Sequence, residues 1–354
     1  MKQEEKGHVT IIVELRGELC NHLSLLASAR ITQLMAQARG IQTKIVGQHQ
    51  DRPKWRHARD DLRKCFTNFQ SFQFRAAKWD KSQNFQKRQR QQEEWLTQRQ
   101  RQMLTNARGE GLELLSQLLN HTKATLAYNS KTKSGYQYSL PYLTTTQFST
   151  WEVLTEKNYR AIADLFQFND SNPECCQLKP YADETVLHVR NFFTELNGAW
   201  EKGFRELSPN NVASMLFAKS LASHNAPPRI AIVSRFTSTV QPYVDQLKTQ
   251  YNASVRVISN QTGLQDFCFL KETQHQLIGT YTSTYAIWGG ILGKAPLVRL
   301  YEIETLLPGD LPRTLDIYSQ PLFSLTRTLA NRSFLYETFY QSQPYQPEPS
   351  LATD

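Results

Sequence analysis

HVTIIVELRGELCNHLSLLASARITQLMAQARGIQTKIVG, residues 8–47, is the stretch on which the fold turns. HVTIIVE (8–14) has the β-branched density of a buried strand. From Cys20 to Ala38 the apolar residues Leu23, Leu26, Ile31, Leu34 and Met35 recur at helical spacing, and Gly40 supplies a helix stop. IQTKIVG (41–47) then offers a second strand. Strand, helix and strand in so short a span make a βαβ unit, and its crossover implies a parallel sheet.

The same alternation returns later in the chain. Strands are expected over 184–190, RIAIVS (229–234), SVRVIS (254–259), QLIGT (276–280) and PLVRLY (296–301). Helices are expected over 209–222, opened by Ser208-Pro209, and over 239–250, 264–275 and 283–292. Between the two α/β regions, residues 120–180 contain one convincing helix, NYRAIADLF, and then the linker-like SNPECCQLKPYAD. The sequence therefore predicts two Rossmann-like, doubly wound α/β domains. The first spans 1–180 and the second 181–310, with a C-terminal tail over 311–354.

Residues 75–108 interrupt the first domain with RAAKWDKSQNFQKRQRQQEEWLTQRQRQML, rich in Gln, Arg and Lys, and read as a long charged helix. Clustered cations suit phosphates, as in an RNA- or membrane-contacting arm. The alternative is a solvated helix docked through Trp79, Phe85, Trp95 and Leu96, with Glu93 and Glu94 breaking the basic run.

The 354 residues include 40% apolar and 11% aromatic residues, enough for a core in each domain. A net charge of +9 favours an anionic partner without choosing among nucleotide, nucleic acid and membrane surface. No apolar run reaches transmembrane length, and MKQEEKGHVT reads as neither signal peptide nor anchor. Cys20, Cys65, Cys175, Cys176 and Cys268 are odd in number and lack C-x-x-C spacing, which indicates structural thiols and neither a zinc site nor a disulfide framework. Asn120, Asn169, Asn252, Asn260 and Asn331 each open an N-x-[ST] sequon, meaningful only if the chain enters a secretory lumen.

Ligands of doubly wound sheets bind at the carboxyl ends of strands, and in the second domain those ends carry polar groups. VLHVRNFFTE (186–195) ends a strand on His188 and Arg190, with Glu195 in the loop beyond. Alone, this pattern favours a satisfied strand-end histidine and a surface ion pair over a binding site. GTYTSTYAIWGG (279–290) sets Thr282, Ser283 and Thr284 at a helix start, where unpaired N–H groups and the helix dipole attract an anion; an ordinary Ser/Thr cap is the plain alternative. Asp266 in GLQDFCFL could cap its helix or accept hydrogen bonds from a base such as guanine. Together an arginine, a hydroxyl-rich helix start and an acid suit a nucleoside diphosphate. Neither G-x-x-x-x-G-K-[ST] nor G-x-G-x-x-G is present, which disfavours P-loop and dinucleotide chemistry.

These residues resemble motifs of the α-1,2/α-1,6/O-fucosyltransferase superfamily. GELCNHL (17–23) resembles a G-G-L-G-N-Q-L stretch at Gly17, Leu19, Asn21 and Leu23, and HVRN (188–191) resembles H-x-R-R. DFCFL and then QLIGTYTSTYAIWGGIL resemble an Asp followed by N-S-S-F-S-W-W-G-A-W-L, with Trp288, Gly289 and Leu292 in step. The likeness covers roughly residues 8–40 and 184–300. Asn191 stands where the second arginine is usual, Phe192 or Phe193 where an acid commonly follows, and Glu18, Cys20 and His22 replace two glycines and a glutamine.

The resemblance implies a GT-B arrangement and transfer of fucose from GDP-fucose to a glycan or protein hydroxyl, with inversion and without a metal. On its terms Arg190 binds the donor β-phosphate and His188 contacts the nucleotide. Asp266 meets the guanine, and Thr282, Ser283 and Thr284 the diphosphate, with Gly17 and Asn21 in the same donor site. Glu195, after Thr194, is the counterpart of a general base, with Glu201 and Glu206 as rivals. The family implies the Golgi or another secretory lumen behind an N-terminal anchor; without one the chain would be cytoplasmic. The competing readings are a transferase of another nucleotide sugar and a basic nucleic-acid- or protein-binding protein on an inactive scaffold.

Overall fold

The opening βαβ unit is present. In a computed structural model, β1 (Val9–Leu15), α1 (Leu19–Gln37) and β2 (Thr43–His49) follow one another, and β1 pairs parallel with β2 from Val9↔Thr43 to Leu15↔His49. The structure describes residues 9–15, 17–38, 43–49, 56–69, 74–76, 136–140, 156–175, 178–189, 228–280, 283–305 and 323–341. The charged stretch 77–108, the helix expected over 209–222, and Arg190, Glu195, Glu201, Glu206 and Thr282 lie outside them. The chain divides into two compact units, Met1–Asn172 and Pro173–Asp354.

In the first unit β3 (Phe74–Ala76) and β4 (Tyr136–Leu140) complete a parallel sheet of order β3-β2-β1-β4. Ile11, Val13 and Leu15 of β1 are buried, the two-residue period of a strand face. Helix α1 is buried at every position from His22 to Ala29, as expected of a helix enclosed on several sides. Its interior serines stay satisfied: Ser24 Oγ donates to Cys20 O at 3.1 Å and Ser28 Oγ to Ser24 O at 2.9 Å. Helices α2 (Arg56–Cys65) and α3 (Glu156–Leu165) pack on α1. Their exits are joined by the rings of Phe66, Phe69, Phe166 and Phe168, with centroids 5.4–6.2 Å apart.

The second unit holds β5 (Thr185–His188), β6 (Arg229–Val233), β7 (Ser254–Ile258), β8 (Gln276–Thr280), β9 (Leu297–Thr305), β10 (Phe323–Leu329) and β11 (Arg332–Gln341). Their order is β10-β11-β9-β8-β5-β6-β7, and every neighbouring pair is parallel except β10 with β11. Helices α4 (Gln241–Tyr251), α5 (Gly263–Lys271) and α6 (Thr284–Ile291) cover it. Tyr243, Val244 and Leu247 of α4 share a core with Leu187, Ile230, Ile232, Ile278 and Tyr301. Helix α6 meets the opposite face, where a Cβ added to Gly279 would stand 2.4 Å from Ala286 Cβ and one on Gly290 would stand 2.7 Å from Val298 Cγ1. Helices on both faces of a mainly parallel sheet make this unit Rossmann-like.

Three expectations need correction. Residues 323–341, placed in a C-terminal tail, form a β10–β11 hairpin whose β11 extends the sheet by pairing with β9 over Ser333–Gln341. The hairpin turns on Ala330 and Asn331, both left-handed (φ 48° and 61°). That two-residue turn usually shows as Asn-Gly, and Ala-Asn conceals it. The same pairing lengthens β9 beyond PLVRLY. The helix expected over 264–275 stops at Lys271, because residues 272–275 lead into β8 at Gln276.

The cysteines also differ from expectation. Cys175, in the 3₁₀ turn Pro173–Cys175, is disulfide-bonded to Cys268 on α5 across 93 residues. Spacing could not signal this pairing, because folding alone brings the two Cα atoms to 5.1 Å. Cys20 and Cys65 are buried and stand outside the disulfide, as expected of structural cysteines. No helix among the described residues is long and apolar enough to cross a membrane.

Candidate functional site

From β5 the chain runs outward to β6 and β7, then crosses back to place β8 on the other side of β5. The topological switch point therefore lies between the carboxyl ends of β5 and β8, where α/β sheets open a crevice for ligands. His188 is the last residue of β5 and lies opposite Gly279 of β8 and Val233 of β6. Ser283, which follows β8, is the N-cap of α6. The two side chains meet across the switch point, with Ser283 Oγ 2.9 Å from His188 Nδ1.

The surrounding packing holds this pair. Ser283 N–H donates to Thr280 O at 3.0 Å, and Ala286 N–H donates to Ser283 Oγ at 3.4 Å. His188 and Ser283 are only 5% and 1% exposed. The Tyr285 ring stacks near the imidazole at 6.3 Å between centroids and 26° between planes. Gly279 has no side chain because α6 needs the space: Ala286 closes onto the strand there. The Tyr285 hydroxyl in turn lies over Gly263 at the start of α5, where an added Cβ would stand 2.6 Å away.

Thr262 is the N-cap of α5: its Oγ1 accepts from Gln265 N–H at 3.2 Å, while Gln265 Oε1 accepts from Thr262 N–H at 2.9 Å. This capping box corrects one reading of Asp266, which lies in the first turn of α5 without being its cap. Thr237 and Ser259 hydroxyls bond at 2.7 Å beyond β6 and β7. The starts of α5 and α6 thus come together at the carboxyl end of the sheet, and helix starts carry partial positive charge.

The clearest electrostatic perturbations lie elsewhere. Glu184, next to the amino end of β5, accepts both Arg256 Nε (2.7 Å) and Arg256 Nη2 (2.5 Å), and this hydrogen bonding raises the Arg256 guanidinium further against the cost of burial. Burial pushes the Tyr301 phenol up to about 12, on the α4 side of the sheet.

In the first unit β1 lies between β2 and β4, so the turn after β1 occupies the corresponding switch point. Gly17 sits in that turn with φ +79°, and an added Cβ would stand 2.3 Å from Asn21 Nδ2. Both the backbone and the Asn21 amide exclude a larger residue there. Leu19, Cys20 and Leu23 of the same motif are core residues.

Of the residues singled out in the second domain, the structure brings His188 and Ser283 into contact, with Thr284 next in α6 and Asp266 in the first turn of α5. Arg190, Glu195 and Thr282 lie outside the described residues. Tyr285, Gly279 and the Thr262–Gln265 box went unassigned in the sequence. The T-x-x-Q spacing of 262–265 carried a signal for the box, whereas Tyr285 and Gly279 became meaningful only through strand register.

No protein-family model and no curated protein matches the chain. Among solved structures it is similar to NodZ alpha-1,6-fucosyltransferase soaked with GDP-fucose, at 13% identity over 81% of this chain and 93% of that one, with a TM-score of 0.39. It is also similar to E. coli heptosyltransferase WaaC with ADP, at 10% identity over 86% of this chain and 89% of that one, with a TM-score of 0.35. At such values the likeness decides neither the subtype nor the chemistry. What stands on the chain's own geometry is a pair of Rossmann-like units, each with one of the singled-out motifs at its switch point.

Proposed function

We propose that the chain is a nucleotide-sugar glycosyltransferase, transferring fucose from GDP-fucose to a glycan or protein hydroxyl with inversion and without a metal. The observation that carries this reading is the contact of His188 with Ser283, the α6 N-cap, at the switch point between β5 and β8. A diphosphate there would meet backbone N–H donors and the positive end of α6. Arg190, two residues after His188 in the sequence, supplies the charge for the β-phosphate. Asp266 contacts the guanine, and Thr282 and Thr284 join Ser283 around the diphosphate. Two Rossmann-like units in one chain agree with a GT-B composition.

In the reaction, the acceptor oxygen bonds to the sugar carbon as that carbon's bond to the β-phosphate oxygen breaks. Glu195 takes the hydroxyl proton, and Arg190 balances the charge growing on the departing GDP. A secretory-lumen location is part of the proposal. The Cys175–Cys268 disulfide favours an oxidising compartment, and the sequon residues Asn252, Asn260 and Asn331 are exposed in left-handed turns.

Thermal shift against GDP, UDP, ADP and CMP tests the donor. GDP should raise Tm most, and Arg190→Ala should abolish the rise. Equal shifts by GDP and UDP would remove the support for fucose while keeping a nucleotide-sugar site. No shift by any nucleotide would end the reading. Glycosidase-sensitive mass on Asn252 or Asn331 in cells tests the compartment; its absence there argues for the cytosol.

A further inference from the structure

The Ser283 hydroxyl takes part in two hydrogen bonds, and together they determine which way each proton points. Ala286 N–H donates to Oγ at 3.4 Å, so the oxygen is an acceptor on that side. Its own single proton then needs an acceptor, and His188 Nδ1 lies 2.9 Å away. With Ser283 only 1% exposed, water is a poor substitute. Nδ1 therefore presents its lone pair, and a neutral imidazole that accepts at Nδ1 carries its proton on Nε2. In the reverse arrangement, Nδ1–H would donate to Oγ and leave the hydroxyl proton buried with no acceptor among the described residues.

We propose that Ser283 is a positioning residue that fixes His188 as the Nε2–H tautomer, making His188 a hydrogen-bond donor and not a proton acceptor at the switch point. The inference rests on the nucleotide-site reading for its functional meaning. An oxygen that meets Nε2, such as one of a phosphate or a nucleobase carbonyl, receives a hydrogen bond. His188 in this state cannot take the proton of an acceptor hydroxyl through Nε2, which leaves that task to a carboxylate. Cap and tautomer thus depend on one hydroxyl: the same Ser283 that starts α6 also sets the neighbouring strand-end histidine.

The test uses the full chain labelled with ¹⁵N-histidine and long-range ¹H–¹⁵N correlation at neutral pH, with His188 assigned from the signals lost in His188→Gln. Wild type should show protonated Nε2 and unprotonated Nδ1. Ser283→Gly removes the hydroxyl yet keeps a residue that serves N-caps almost as well, and should give a mixture of tautomers. Ser283→Thr should restore the wild-type pattern; should that variant not fold, the Ser283→Gly spectra decide alone. GDP affinity by calorimetry should fall about five-fold in Ser283→Gly, the value of one orienting hydrogen bond, and recover in Ser283→Thr. A protonated Nδ1 in the wild type overturns the proposal, and so does a pure Nε2–H pattern in Ser283→Gly. If the tautomers behave as expected but wild type binds no GDP, the assignment of Ser283 stands and the nucleotide site falls.

Discussion

Replacing Gly279 tests the packing that brings His188 and Ser283 together. It lies in β8, whose five residues are all buried, and a Cβ built on it stands 2.4 Å from Ala286 Cβ. Non-bonded carbons settle at about 3.5–4.0 Å, so Gly279→Ala requires β8 and α6 to separate by on the order of 1 Å. Ala286 has no rotamer to turn away, and the strain must move backbone. Overpacking of this kind costs about 1–3 kcal/mol. The shift would also carry Ser283 Oγ out of its 2.9 Å contact with His188 Nδ1. Denaturant unfolding should show a lower midpoint at unchanged m-value, and GDP affinity should fall. The double variant Gly279→Ala/Ala286→Gly removes the colliding methyl at a helix-propensity cost of about 1 kcal/mol. It should therefore recover part of the loss, with a coupling energy above about 1 kcal/mol. A single variant within about 0.5 kcal/mol of wild type, or a cycle without coupling, would refute the close approach of α6 to β8.

Further outcomes follow from the same unit. Cys268→Ser opens a loop spanning 93 residues and should lower stability by up to about 4–5 kcal/mol on loop-closure grounds; a reductant should lower wild-type Tm but leave the variant unmoved. Glu184→Ala strips Arg256 of its forked partner, with Glu184 itself 1% exposed. Removing one member of a buried pair costs about 3–5 kcal/mol, and the 27% exposure of the Arg256 side chain puts the expected loss near the lower end. Glu272 responds to pH. Burial tends to raise its carboxyl, but hydrogen bonds from Lys271 and Lys294 outweigh this and hold it below its usual value. Its stabilisation is therefore present above the unfolded carboxylate pKa, about 4.3, and is lost as pH falls through the lower folded value. Acid unfolding of wild type should include this loss, and Glu272→Gln should lack it.

Much of the fold was legible because hydrophobic period and crossover geometry act locally. The strand at QLIGT is found at its predicted bounds, and HVTIIVE and RIAIVS are found within a residue or so, because their apolar side chains have nowhere to go but a sheet interior. What escaped depends on partners distant in sequence. β11 is a strand because β9 is available beside it, and Cys175 meets Cys268 because α5 folds back onto the opening of the second unit. The site divides in the same way. Ser283 as a helix cap was readable from TST before an apolar run, whereas its bond to a histidine 95 residues earlier was not. Tyr285 and Gly279 carry no motif; strand register and the seat of α6 give them their places. His188 illustrates the limit of local reading, because both the satisfied strand-end histidine and the site residue describe it: its Nδ1 is satisfied by the very hydroxyl that caps α6.

A crystal structure of the full chain with GDP tests the proposed nucleotide site directly. The diphosphate should lie at the N-terminus of α6, within hydrogen-bond reach of the helix's first turn, with Arg190 on the β-phosphate and Asp266 toward the guanine. GDP bound away from the carboxyl ends of β5 and β8, or soaked crystals with that crevice empty, would contradict it.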